Sequence, residues 1–175
     1  KGRETRRVQA GDRAGTEFVV EAPTLVQAIA SFTGGQVAQN LFSFDSPMAR
    51  MGYVEITGTE GTLLVPDPNL FGGAVRLTHP VTLATVQSET EWIDVPVPDE
   101  TYGRGAGALD LARCIRGGGE PIASGELGYH VLDVMASIEE SIASGQTVRL
   151  ASSTAPVPLL PEGWDPHEAT LGAGA

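Results

Sequence analysis

The hydrophobic period of this chain changes near residue 100, and this change limits the folds it can adopt. Before that point, short runs rich in β-branched and aromatic residues alternate with glycine-containing turns. After it, apolar residues recur at the three- and four-residue spacing of an α-helix. Strands that are followed by helices, rather than interleaved with them, predict an α+β fold with an open, mostly antiparallel sheet.

Five stretches of the first half predict the strands. The run TLVQAIASFTGGQVAQNLFSFD, residues 24–45, predicts a hairpin around Gly34 and Gly35, because glycine accepts the positive φ that tight hairpin turns need. A second strand pair, GYVEITG and GTLLVP, is predicted on either side of residues 58–61. AVRLTHP and TEWIDVPV add two more short runs. The first half is therefore predicted to be an antiparallel meander.

Two helices are predicted in the second half. The first ends at the glycines 117–119, and the second is capped by Ser124 and ends at Gly145. The first carries its apolar stripe on Ala108, Leu111, Ala112 and Ile115, and the second on Leu127, Val131, Val134, Ile138 and Ile142. We interpret Asp110, Arg113 and Arg116 as the solvated face of the first helix. QTVRL, residues 146–150, is predicted to return as a strand.

The predicted sheet carries apolar groups on both faces. In the run 25–32, one face holds Val26, Ala28, Ala30 and Phe32, and the other holds Leu25 and Ile29. The helices can pack on one face only, so we expect the other face to build a symmetric dimer or a larger homo-oligomer. Residues 1–154 are predicted to form this domain, and residues 155–175 a proline-rich tail that either lies on a neighbour or is disordered.

Charge and cysteine content exclude several classes of function. The net charge is -11 at pH 7, so a nucleic-acid backbone or an anionic membrane surface is repelled. Cys114 is the only cysteine, which excludes an intramolecular disulfide and a cysteine-based zinc site. No apolar run approaches a membrane span, and the N-terminal region lacks the apolar core of a signal peptide. We therefore expect a cytoplasmic chain that takes no metal and binds neither nucleic acid nor membrane.

The segment GRGAGA, residues 103–108, superficially fits the dinucleotide-binding fingerprint. That fingerprint needs a strand before the turn and a second strand after the helix. Here a proline-rich lead-in, VPVPDETY, precedes it and GGGEPIASG follows the helix. A glycine-rich loop that opens a helix is the favoured interpretation, so no cofactor site is predicted in this chain.

Two charged positions are candidates for chemistry. Arg104 is a cation at the positive end of a helix, so it requires either a local acid, with Asp99 and Glu100 as the candidates, or an anionic or polar substrate. The local pair is favoured, but both remain open. His130 has Glu126 and Asp133 nearby on the helix, and modest surface pairing is favoured over a catalytic base because no reactive partner is visible.

The loop VPDPNLFGG, residues 65–73, holds the remaining candidates. Pro66 and Pro68 fix the backbone, and Asp67 and Asn69 can hydrogen-bond their own turn. Phe71 then either packs beneath a stiff turn or faces a ligand, because the residue types suit both.

The order of these pieces resembles the C-terminal half of the Gfo/Idh/MocA oxidoreductases, named after glucose-fructose oxidoreductase, inositol dehydrogenase and a rhizopine-catabolism protein. The stretches that carry the resemblance are PTLVQAIASFTGGQVAQNLFSFD, EITGTEGTLLVPDPNLFGG, RGAGALDLARCIRGGG and ASGELGYHVLDVMASIEESIASGQTVRL. It implies a parent NAD- or NADP-dependent dehydrogenase of sugars, polyols or related hydroxy compounds. Its N-terminal Rossmann domain would bind the cofactor, and this half would recognise the small-molecule substrate and oligomerise through its sheet face.

Several family motifs are absent from this sequence. The Rossmann fingerprint is missing, and so are the Glu-Lys-Pro motif and the aspartate–histidine pair of the helix that leads into this domain. Ala155 and Pro156 stand where many relatives have Arg-Pro. The resemblance therefore implies a domain without its own cofactor site or catalytic residues, separated from its parent. The predicted substrate contacts are Asn69, Phe71, Tyr102 and Arg104.

Two other classes of function remain as alternatives. One is a stand-alone oligomerising or interaction module without enzymatic activity. The other is a small carbohydrate-binding module, which is disfavoured because aromatic residues make up only 6% of the chain and few rings could stack on sugars.

Overall fold

The computed structural model describes residues 2–46, 54–80, 91–97, 102–161 and 163–168. The chain forms two compact units, Lys1–Arg50 and Met51–Ala175. The described elements are antiparallel strands in the first unit, and antiparallel strands with two helices in the second. This confirms an α+β chain with open antiparallel sheets. A single substrate-type domain over 1–154 stays a prediction.

The first unit contains two hairpins. Strands β1 (Thr5–Arg7) and β2 (Glu17–Val19) form one, and β3 (Leu25–Ser31) and β4 (Val37–Ser43) form the other. The β3–β4 turn is closed by Gly35, whose φ is 87° and whose N–H donates to the Phe32 carbonyl at 2.9 Å. The predicted hairpin is confirmed. The β1–β2 pair was not predicted, because three-residue strands are too short for an alternating pattern to show.

The second unit contains a four-stranded antiparallel sheet in sequential order. Its strands are β5 (Val54–Thr57), β6 (Thr62–Val65), β7 (Val75–Thr78) and β8 (Ile93–Val95). Directly paired residues share a face, so the register places a continuous apolar row on one side: Ile56, Leu63, Leu77 and Ile93. The opposite face carries Arg76 and Asp94, whose Nε and Oδ1 lie 3.5 Å apart. The second face of this sheet is mainly polar, so the apolar groups expected on both faces from the run 25–32 do not extend to it. In the β3–β4 hairpin, which contains that run, Val26 pairs with Phe42 on one face, and Leu25 and Leu41 lie on the other.

Helices α1 (Ala106–Gly117) and α2 (Gly125–Ser144) follow the predicted bounds. The Ser124 hydroxyl caps α2 by accepting from the Leu127 N–H at 3.1 Å, and Gly145 ends it with a φ of 67°. Residues 146–150 form no strand. The predicted returning strand was wrong, because β propensity alone does not supply a neighbouring strand to complete the hydrogen bonds.

The solvated face predicted for α1 is confirmed at Arg116, which is exposed, and is wrong at Asp110 and Arg113. Asp110 and Arg113 are half-buried, whereas Leu111 and Ile115 are 47% and 76% exposed. The Asp110 carboxylate accepts from the Ile122 N–H at 2.8 Å and so ties the α1–α2 connection to α1. A charged side chain moves out of solvent when a partner beyond its own helix satisfies it.

Within the described ranges, only Val20 and Thr24 are classed as buried. The extensive contacts between described elements all join neighbouring strands. Packing of the helices on one sheet face, and use of the other face for oligomerisation, therefore stay predictions. None of the described helices combines the length and the apolar character that a membrane crossing requires.

Candidate functional site

The structure brings together two predicted substrate residues that are far apart in sequence. The Arg104 guanidinium donates to the Asn69 side-chain oxygen at 3.0 Å. Both residues are exposed. This contact places the 65–73 loop at the start of α1.

The loop is rigid for local reasons. The Asn69 N–H donates to the Asp67 carboxylate at 2.8 Å, and the Leu70 N–H to the Asp67 carbonyl at 2.9 Å. Gly73 has a φ of 140°, and a Cβ there would lie 2.6 Å from the Pro66 Cβ. The backbone therefore needs glycine at this position, and Asn69 is presented from a fixed turn.

Arg104 is electrostatically unusual. It lies next to Gly105, the N-cap of α1, and the first turn of that helix contains no acidic residue. Among the described residues, Arg104 makes no salt bridge. Its predicted partners Asp99 and Glu100 lie outside the described residues. A guanidinium that faces a helix N-terminus and a neutral amide retains its attraction for an anionic or hydroxyl-rich ligand.

Phe71 and Tyr102 lie in different surroundings. Phe71 is 44% exposed, so its ring is not packed away beneath the turn. Tyr102 is half-buried, its ring centroid lies 5.4 Å from that of Trp164 in an edge-to-face arrangement, and its hydroxyl donates to the Trp164 carbonyl at 3.2 Å. Tyr102 thus packs against Trp164 two residues before Arg104, and its role as a substrate contact stays a prediction.

Sequence reasoning missed the tail segment that supports this region. The Arg113 guanidinium lies 4.9 Å from the centroid of the Trp164 ring and donates to the Asp165 and Glu168 carbonyls at 2.7 and 3.2 Å. The tail was expected either to lie on a neighbour or to be disordered, but residues 163–168 contact the second unit itself. A tryptophan within a proline-rich segment was the available signal.

A second polar cluster joins α2 to the segment that follows it. The Asp133 carboxylate accepts from the Ser152 hydroxyl at 2.7 Å and from the Ser152 and Ala151 N–H groups at 2.8 and 3.0 Å. The hydrogen bond from the Ser152 hydroxyl, with its backbone N–H, holds the pKa of Asp133 below its usual value, and nearby His130 adds to this. The cluster borders a surface groove of about 510 Å³.

The direction of these hydrogen bonds excludes a serine nucleophile. The single hydroxyl proton of Ser152 goes to Asp133, so we assign His130 Nδ1, 2.8 Å away, as the donor to the Ser152 oxygen. A general base would have to accept that proton instead. Of the surface pairing expected for His130 with Glu126 and Asp133, the charge interaction with Asp133 is present, and the contact with Ser152 was not predicted.

The other titratable groups that the structure describes show no reactive cluster. Burial raises the pKa of the Cys114 thiol, and the negative charges of Asp110 and Glu120 raise it further, so the thiolate is disfavoured. His79 Nδ1 lies 3.4 Å from the Glu60 carbonyl. Across the ranges that the structure describes, no group of three or more histidine, cysteine, aspartate or glutamate side chains could hold a metal ion.

No protein-family model, curated protein or solved structure matches this chain. The described fold and contacts define an α+β protein with one loop–helix surface that carries Asn69 and Arg104. Membership of the Gfo/Idh/MocA family stays a prediction from the stretches quoted above.

Proposed function

We propose that this chain is the substrate-recognition and oligomerisation domain of an NAD- or NADP-dependent oxidoreductase that acts on a sugar, a polyol or a related hydroxy compound. The contact between Arg104 and Asn69 carries the proposal. It joins two planar, hydrogen-bonding side chains from a rigid loop and a helix start, and both were predicted as substrate contacts.

The chemistry of this pair suits a hydroxyl-rich ligand. The guanidinium supplies several fixed donors, and the carboxamide supplies a donor group and an acceptor. Hydroxyl groups need both kinds of partner. The exposed Phe71 ring adds an apolar surface in the same loop. This domain would therefore orient the substrate, and its contribution to the rate would be positional.

Hydride transfer would depend on a partner Rossmann domain that holds the cofactor. The described residues of this chain favour that division of roles. Asp133 is a weak base because its pKa is lowered, the Ser152 proton is directed to Asp133, and the Cys114 thiol is disfavoured as a thiolate. Asp133 and Cys114 therefore do not suit general base catalysis near neutral pH, and the Ser152 hydroxyl is not directed to a base that would make it a nucleophile.

Oligomerisation would use the apolar face of the β5–β8 sheet. Val54, Ile56 and Ile93 on that face are 39%, 55% and 46% exposed. A second copy that covered them would bury apolar area, which is favourable at about 25 cal/mol per Å².

Steady-state kinetics test the substrate role. The enzyme that contains this domain and its cofactor partner would be assayed for nicotinamide reduction with NAD and NADP against a panel of sugars and polyols. We expect Arg104→Ala to raise KM about 10- to 100-fold, the effect of losing hydrogen bonds to a charged donor. Arg116→Ala, an exposed position at the opposite end of α1, is the matched control. An unchanged KM for Arg104→Ala would remove this residue from the site.

The alternative, a stand-alone oligomerising module, is favoured by the β3–β4 hairpin. Residues 22–44 contain no charged side chain, and Ile29, Val37 and Leu41 are 76%, 67% and 63% exposed. Native sheets usually protect such edges with charges. This alternative predicts concentration-dependent assembly in sedimentation equilibrium with no nicotinamide-dependent activity. Turnover of any panel substrate would exclude it.

A further inference from the structure

The segment that follows α2 contacts both helices of the second unit. We name residues 151–161 and 163–168 the strap. Its first end is fixed on α2, where Asp133 accepts three hydrogen bonds from Ala151 and Ser152. Its far end is fixed on α1, where Arg113 stacks on Trp164 and donates to two strap carbonyls. The two anchors use unrelated chemistry, a carboxylate at one end and a cation–aromatic contact at the other.

The middle of the strap suits a restraint. Pro156, Pro158 and Pro161 lie between the two anchors. Each proline fixes its own φ and restricts the residue before it, so the connecting chain has little freedom to lose when both ends bind. A glycine-rich connection of the same length would impose a larger entropic penalty.

Trp164 contacts both sides of the α1 start. On one side its ring meets Tyr102, two residues before Arg104, and on the other it meets Arg113 within the helix. Tyr102 also donates to the Trp164 carbonyl. The backbone that carries Arg104 is thus held from the loop side and from the helix side by one residue of the strap.

We infer that Trp164 is a positioning residue, which fixes the Tyr102–Gly105 backbone and so aims Arg104 at Asn69. Its bearing on substrate binding rests on the proposed function, whereas the positioning itself does not. Trp164 need not touch the substrate, because it acts through Tyr102 and Arg113.

Hydrogen exchange of the 175-residue chain tests the positioning without any ligand. The reporters are the Ala106 and Leu109 N–H groups, which donate to the carbonyls of Gly103 and Gly105. We expect Trp164→Ala to speed their exchange about two- to tenfold, the range that the loss of one aromatic pair supports. Trp164→Phe keeps a ring and should restore most of the protection. Leu159→Ala, in the same strap at a side chain that is 91% exposed, should change nothing.

Two further variants keep this test decisive. The Gly128 N–H, which donates to the Ser124 carbonyl in α2, reports whether the helical unit stays folded. If Trp164→Ala also exposes that amide, Arg113→Gln removes the cation from the α1 side and should produce the same local acceleration at Ala106 and Leu109. Equal exchange at these two amides in the wild type and in a folded variant would overturn the inference.

A kinetic cycle connects the positioning to substrate binding. In the enzyme assay above, Trp164→Ala should raise KM with little change in kcat, and the double variant with Arg104→Ala should be no worse than Arg104→Ala alone. Additive effects would overturn action through Arg104. A normal KM for Arg104→Ala combined with faster exchange in Trp164→Ala would reject the proposed function and retain the positioning.

Discussion

The β3–β4 hairpin of the first unit and the helical part of the second unit are stabilised in different ways. Between its two strands the hairpin is held by a backbone ladder, and large apolar side chains such as Ile29 and Leu41 remain exposed. In the helical part, polar side chains reach across the sequence, and Asp110, Arg113 and Asp133 are half-buried against backbone groups. A ladder of strand hydrogen bonds satisfies the backbone N–H and C=O groups but does not determine which residues the side chains contact. A hydrogen bond from a side chain to a distant backbone group fixes one tertiary arrangement.

The difference extends to the distribution of charge. The hairpin region 22–44 carries no charged side chain, and no uncharged run of that length occurs in residues 51–175. An uncharged strand pair with exposed edges is suited to association, and an isolated two-stranded hairpin is only marginally stable in water. The β3–β4 hairpin thus depends on covering its apolar faces, and the helical part of the second unit depends on specific polar contacts.

The largest effect on thermal stability is expected from loss of the Asp133 carboxylate. Asp133→Ala removes the acceptor of three hydrogen bonds at once and should lower Tm more than any variant below. Glu139→Ala, exposed on the same helix, is the control for loss of one negative charge and should leave Tm unchanged. Thermal unfolding followed by circular dichroism makes the measurement, and equal Tm values for both variants would contradict it.

Protonation of Asp133 at acid pH should weaken the same hydrogen bonds. The folded-state pKa of Asp133 is lowered, so its contribution to stability is present above its unfolded value, near pH 4, and is lost as pH falls through the folded value. In Asp133→Ala, the decrease in Tm toward acid pH should therefore be shallower than in the wild type. Parallel pH profiles of Tm would show that the carboxylate is not the group that titrates.

Gly61 tests a close approach of two strands in the second unit. A Cβ at this position would lie 2.3 Å from the Thr78 carbonyl oxygen, so backbone must move. We expect Gly61→Ala to reduce the free energy of unfolding by about 1–3 kcal/mol. Gly72→Ala, with no atom within 4 Å of its Cβ, is the control in urea denaturation. If both variants unfold at the same urea concentration, the close approach of Gly61 to Thr78 does not limit which residue position 61 accepts.

Substitutions at Gly35 test whether the β3–β4 turn requires a positive φ. Its φ is 87°, and its Cβ position has no atom within 4 Å. Gly35→Ala should cost about 1–2 kcal/mol through backbone strain, and Gly35→Asn should cost less because asparagine tolerates the left-handed region. Urea denaturation again reads the effect. A larger loss of unfolding free energy for Gly35→Asn than for Gly35→Ala would mean that side-chain size, and not φ, determines which residues this turn accepts.

The smallest effect on folding is expected on the exposed hairpin face. Ile29 is 76% exposed, so Ile29→Thr, which keeps a β-branched side chain, should change the free energy of unfolding by no more than about 0.5 kcal/mol. Self-association measured by sedimentation velocity should nevertheless weaken. Unchanged self-association would show that the chain does not associate through the face that carries Ile29.

Local rules predicted the elements well. The β3–β4 turn follows from two adjacent glycines, and the ends of α2 follow from Ser124 and Gly145, because turns and caps depend on groups only a few residues apart. The same rules failed for residues 146–150, where a strand requires a neighbour that the local sequence cannot specify. They also failed for the polar face of α1, where Arg113 meets Trp164.

The sequence by itself determined the α+β class, the period change near residue 100, the hairpin turn and the helix ends, since these depend on backbone conformation and short-range hydrogen bonds. Only the tertiary structure decided that Arg104 meets Asn69, that Trp164 supports Tyr102, and that Ser152 gives its proton to Asp133 rather than to His130. Each of these contacts joins residues at least 19 positions apart. Their formation depends on the path of the whole chain, which no local spacing encodes.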